Sequence, residues 1–238
     1  MLKWAVRIHK WIALIIGIQI LLWISGGLVM SVIPIEQVRG EHKVTPRQEL
    51  TTNPSAMISL EAASEVSGLP DISGAKLDWL LDKPVWHLSG TEANSIVDAE
   101  TGNLISPIGE ALVREIAEAD YSGDAELVEL NLLEKSPSEY GRPAPVWRAK
   151  FNDLDQTTLY IDPKTAAVTA RRSSTWRFYD FFWKLHVMDY DDGADFNHPL
   201  IISAASIAIF VALSGLILLI IKVRRSILIW RKKPANTR

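Results

Sequence analysis

The sequence predicts a membrane protein of the α+β class, in which two transmembrane helices flank an outer domain of two similar helix-plus-antiparallel-sheet units. Three observations predict it: two long uncharged apolar runs, acids confined to the interval between them, and motifs that recur in order within that interval.

The first run, Trp11 to Ile33, has 23 residues without an ionisable side chain, and Pro199 to Ile221 is a second of the same length. About 20 apolar residues cross the roughly 30 Å of bilayer hydrocarbon as a helix, so both suffice. Lys3, Arg7 and Lys10 resemble the basic start of a secretory signal. The apolar stretch is longer than such signals use, however, and Ser31-Val32-Ile33-Pro34 offers no small-x-small cleavage site. A retained anchor is expected. If the two runs lie at equal depth, Gly17 faces Gly215 and Gly26 faces Ser206, with Ala13, Ala204, Ala208 and Ala212 adding small-residue steps.

All 28 Asp and Glu lie between Glu36 and Asp195, together with 15 of the 25 Lys and Arg, so that interval carries −13. The other ten bases occupy the ends, seven of them from Lys222 to Arg238. Basic flanks stay on the cytoplasmic side. Both termini are therefore expected in the cytoplasm of a bacterium, with the chain in its inner membrane and residues 36–195 in the periplasm. Trp4, Trp11, Trp23, Trp176, Trp183 and Trp230 suit interfacial anchoring. An acidic middle argues against a nucleic-acid binder. The absence of Cys excludes disulfides, thiolate metal sites and cysteine nucleophiles.

Within the interval, Ser59 to Val66 reads as a helix capped by Ser59 and stopped by Gly68 and Pro70. Ala75–Leu81, Pro84–Leu88 and Ser95–Asp98 read as short strands, and Asp98-Ala99-Glu100-Thr101-Gly102 as a turn. The order repeats. Ile108 to Ala119 has a helical period, Val128–Leu130 follows, and Pro145–Phe151, Thr158–Asp162 and Ala167–Ala170 read as strands. Pro-Val-Trp (Pro84–Trp86, Pro145–Trp147) and Asp-x-x-Thr (Asp98–Thr101, Asp162–Thr165) recur in the same order, so Trp86 and Trp147 are expected to be equivalent. The organisation expected is a cytoplasmic start and first span at 1–33, units at 34–107 and 108–174, and an interfacial amphipathic helix with an acidic turn at 175–198. A second span at 199–221 and a basic tail at 222–238 complete it.

The order helix, strand, Pro-Val-Trp strand and Asp-Ala-Glu-Thr-Gly turn resembles the PepSY domain. Arg7-Ile8-His9-Lys10-Trp11 entering a span, and Lys184-Leu185-His186 before a span containing Leu213-Ser214-Gly215-Leu216, resemble PepSY-associated transmembrane proteins. That resemblance implies a helix packed on an antiparallel sheet in each unit. Many such proteins have four spans, and some are haem-containing reductases of ferric chelates.

Three histidines are candidate haem ligands, because neutral imidazole suits iron: His9, His186 and His198. His186 and His198 would meet one iron at the outer face, or His9 would pair with its copy in a homodimer at the inner face. His9 and His198 lie at opposite ends of a span, which separates them by roughly 30 Å. The same histidines also read as interfacial residues, and Trp176, Tyr179, Trp183, His186 and Tyr190 share one face of a helix. Asp189 to Asp195 matches a calcium loop poorly, since Gly193 stands one position early. No catalytic or metal motif is present.

Three functional classes stay open. The first is an inner-membrane-anchored interaction or accessory protein, a subunit beside a protein partner in a redox or iron-uptake system. The second is a b-type haem carrier moving electrons, and the third a periplasmic protease inhibitor.

Overall fold

The structure is a computed structural model that describes residues 2–46, 51, 56–191, 193, 195 and 197–231. The last seven residues of the basic tail lie outside it. The chain divides into two compact units, Met1–Ile33 with Tyr179–Arg238, and Pro34–Phe178.

In the first unit, α1 (Leu2–Val32) packs against α6 (Pro199–Arg231), beside the C-terminal half of α5 (Ser174–Val187). Both long helices turn isoleucines, leucines and valines outward around their circumference, as a lipid-facing helix must. Their hydroxyls fold back onto their own backbone. Ser31 donates to the Gly27 carbonyl, Ser203 to Pro199 and Ser206 to Ile202, so these hydroxyl protons are bonded where water is absent.

The second unit begins with a linker, α2 (Ile35–Val38) and a 3₁₀ turn (Glu41–Lys43). Then α3 (Leu60–Ser67) precedes an antiparallel sheet of β1 (Gly74–Leu80), β2 (Lys83–Ser89) and β3 (Asn94–Asp98). The Ser59 hydroxyl caps α3 by accepting the Ala62 N–H, and Gly68 ends it in the left-handed region at φ 67°, where a side chain would be strained. α4 (Glu110–Asp120) then precedes a four-stranded meander, β4 (Leu127–Leu133), β5 (Val146–Phe151), β6 (Thr158–Ile161) and β7 (Val168–Arg172). β4 extends beyond the expected Val128–Leu130 because Leu127 and Asn131 to Leu133 also pair with β5.

The two halves repeat one hydrogen-bond pattern. Trp86 Nε1 donates to the Ile58 carbonyl at 3.2 Å, and Trp147 Nε1 to the Ile108 carbonyl at 3.3 Å, each acceptor lying just ahead of its own helix. Ile58 N–H donates to Ala99 and Ile108 N–H to Pro163. Asp98 accepts the amides of Glu100 and Thr101, and Asp162 those of Lys164 and Thr165. Both indoles are half-buried, Trp86 beside Ala63 of α3 and Trp147 in the cluster that contains Val113 and Ile116 of α4. Each faces the helix of its own copy. The larger core joins both sheets: Val85 and Ile96 from the first meet Ala149, Phe151, Leu159 and Ile161 from the second around α4.

Candidate functional site

His9 is half-buried in the packing of α1 on α6, where its Nδ1 lies 2.9 Å from Ser214 Oγ. The Ser214 hydroxyl donates to the Val211 carbonyl at 2.9 Å, so its lone pair accepts the His9 Nδ1–H. In the neutral ring that places the proton on Nδ1. Gly215 makes room for the ring: a Cβ there would stand 3.2 Å from His9 Cε1 and 3.5 Å from Nε2.

His186 repeats the arrangement at the other end of α1. Its Nδ1 lies 3.3 Å from the Trp23 carbonyl, which can only accept, so this ring too carries its proton on Nδ1. Gly26 provides the close approach, since a Cβ there would meet the Phe182 carbonyl at 3.3 Å and His186 Cβ at 3.4 Å. The C-terminal half of α5 thus lies alongside α1. Between these levels Gln19 Nε2 and Trp23 Nε1 are buried without a hydrogen-bond partner.

His198 differs. Its Nδ1 accepts the Leu200 N–H at the start of α6, which places the ring proton on Nε2. No hydrogen bond joins any two of the three histidines. Asp189, in the acidic turn, is buried and spends both carboxylate oxygens on the amides of Asp191 and Asp195; Asp192 and Ala194 lie outside the described residues.

The helix register departs from the equal-depth expectation. His9 meets Ser214 and Gly215, nine residues from where matched belts would place them, while a Cβ on Gly17 would have nothing within 4 Å. The imidazole needs an acceptor in an apolar medium, and this polar pairing sets the register. Gly215→Leu should therefore destabilise the helix pair by about 1–3 kcal/mol. Gly17→Leu should leave it intact. Melting of the two variants in detergent compares them.

Sequence reading missed a charged clamp in the second unit. Lys43 Nζ donates to Asp153 Oδ2 at 2.8 Å, Asp155 Oδ2 at 2.6 Å and Thr157 Oγ1 at 3.1 Å. Tyr121 OH donates to Asp153 as well. Burial opposes the Lys43 charge, but the hydrogen bonds and charges of the two aspartates outweigh it and hold Lys43 above its ordinary value. Burial likewise pushes Asp153 up, yet Lys43 and Thr157 hold it below the usual carboxylate value. Arg171 grips Asp120 with two nitrogens nearby. Behind Lys43 a cavity of about 10 Å³ has room for about one water. On the far face of the second sheet, Glu139 accepts from Arg177 Nε at 2.8 Å and from Tyr160 OH at 2.7 Å. Desolvation raises Glu139, but these donors keep it below its ordinary value. Only the pairing of aspartates with Thr157 was local enough to be visible in sequence.

No curated protein and no solved structure matches the chain. A family model, that of the PepSY-associated TM region, matches residues 6–238. That match covers both spans and the whole domain between them, so the chain belongs to the PepSY-associated transmembrane family.

Proposed function

We propose that the chain is a bacterial inner-membrane anchor presenting its duplicated domain in the periplasm as an accessory interaction subunit, with both termini cytoplasmic. The edge of the first sheet at β1, which pairs among the described residues with β2 alone, carries this reading. Ile96 directs its N–H to Ser106 and its C=O to Ile105, away from β2, so the His87–Ile96 pair is not hydrogen-bonded. His87 therefore bonds Lys76 on β1, and by alternation Ala75 and Leu77 direct their backbone groups outward, away from β2. An extended partner strand could add there.

A photoreactive residue at position 77 should yield a discrete membrane-protein adduct in cells. Ala75→Pro should abolish that adduct, because proline removes an outward N–H that β2 does not use. An adduct unaffected by Ala75→Pro, or none, would sink the reading. The compartment has its own check. A phosphatase inserted at Glu92, in the β2–β3 hairpin, should be active, and one fused after Arg238 inactive.

A second reading, a b-type haem carrier, is favoured by the tautomers of His9 and His186. Each offers Nε2 while Nδ1–H is held by a fixed acceptor, the arrangement that orients an imidazole toward a metal. His198 does not fit, since its proton sits on Nε2. His9 and the His186 seat are 14 residues apart along α1, about 21 Å, so they would serve separate groups. Bound haem would supply one-electron transfer; the chain's part is to fix the rings through Ser214 and Trp23. Under this reading purified protein is red, and its spectrum survives His198→Ala but not loss of His9 and His186 together. Colourless protein from haem-supplemented cells rejects it.

A further inference from the structure

The turn joining β5 to β6, Asn152 to Thr157, is held from all sides. Gln156 N–H donates to the Asp153 carbonyl, and Thr157 donates through its amide and its hydroxyl to the Asp153 carboxylate. Lys43 ties down Asp153 and Asp155 from the linker that follows α1. From the start of α5, the Ser174 amide and hydroxyl donate to the Asp155 carbonyl, and Arg177 donates to the Gln156 carbonyl. In the middle of this fixed turn Leu154 is 102% exposed. Turn tips favour Asn, Asp and Gly, and an apolar side chain held rigidly in water gains nothing from its position.

Both segments bonded to the turn are the ones through which the outer domain joins its spans. Lys43 follows Ile33 by ten residues, of which α2 and the 3₁₀ turn coil seven, so the contour from the end of the first span is at most about 26 Å. Ser174 opens α5, and Phe178 and Phe181, at i+4 and i+7 on the same face, are 51% and 58% exposed.

We propose that the β5–β6 turn is a membrane-contact element. Leu154 enters the interfacial layer of the bilayer, and the Lys43 clamp, with Ser174 and Arg177 of α5, fixes the turn that carries it. This is independent of the accessory or haem reading and requires only that the flanking helices span.

The chain contains no Cys, so one introduced cysteine gives one label. Leu154→Cys and Lys164→Cys place a nitroxide at opposite ends of the same sheet, since the β6–β7 turn lies at the end away from the β5–β6 turn. The full chain is reconstituted in phosphatidylethanolamine–phosphatidylglycerol vesicles, and collisions with oxygen are compared with those of a water-soluble nickel chelate. The oxygen-to-nickel ratio should be several-fold higher at 154 than at 164. Detergent melting of Leu154→Cys should match the parent. Equal ratios at the two positions would overturn the proposal. So would a label at 154 shielded from both reagents, which would place a protein there instead of lipid.

Discussion

Trp147→Ala is expected to lower the stability of the domain between the spans by about 2–4 kcal/mol, and Trp86→Ala by a similar amount. A fully buried tryptophan truncated to alanine costs about 3–5 kcal/mol, and partial exposure reduces that packing loss. The lost indole N–H leaves the Ile108 carbonyl, or Ile58 in the first copy, without its donor at the entry to a helix, which adds roughly 1 kcal/mol. Trp147→Phe should recover much of the packing but not the hydrogen bond, and so fall between. Protease susceptibility across a urea series reads all three. A loss under 0.5 kcal/mol, the ordinary range of surface changes, would show that the indole does not hold strand to helix.

Asp153→Ala should be nearly as damaging, costing about 2–3 kcal/mol, because it takes the acceptor of Thr157 and Tyr121 and leaves Lys43 with Asp155 as its one counter-charge among the described residues. Lys43 is 20% exposed, so water takes back part of the loss. The linker should then be cut by protease before the sheets are. The same group sets an acid limit. Asp153 is held below its ordinary 3.8, so its contribution is complete above that value and is lost as pH falls through the depressed one. Glu139, held below 4.5, adds a loss of the same sign. Lys43 is held above 10.5, so its contribution is complete below 10.5 and disappears only at higher pH. Stability should be flat from about pH 5 to 9 and fall in acid, with a shallower fall in Asp153→Ala.

Much of this architecture is written locally. Uninterrupted apolar runs give the spans, Ser59 and Gly68 bracket α3, and each Asp-x-x-Thr closes its turn with its own side chain. What was illegible depends on distant partners. Lys43 and Asp153 stand 110 positions apart, and nothing around either announces the other. The α1–α6 register escaped for a related reason. Composition marks where a helix is apolar, whereas the depth at which two helices meet was decided by one imidazole finding one hydroxyl. His186 read as part of a surface helix because its periodicity is amphipathic; its seat on Gly26 comes from the packing of α5 beside α1.

The nine-residue offset leaves the helix pair with a step of about 13 Å at the His9 end. With His9 level with Ser214, the last turns of the second apolar run, Leu213 to Ile221, stand beside Lys3, Arg7 and Lys10 and not beside the first apolar run. A flat leaflet cannot match both helices. Either lipid rises over the stems of Arg7 and Lys10, whose charges reach out to the headgroups, or it thins and leaves Leu216 to Ile221 wet. Each ångström of such mismatch costs a fraction of a kcal/mol, carried by the surrounding lipid. A neighbouring span with the opposite step would relieve that deformation through the elasticity of the bilayer, before any side chains touch.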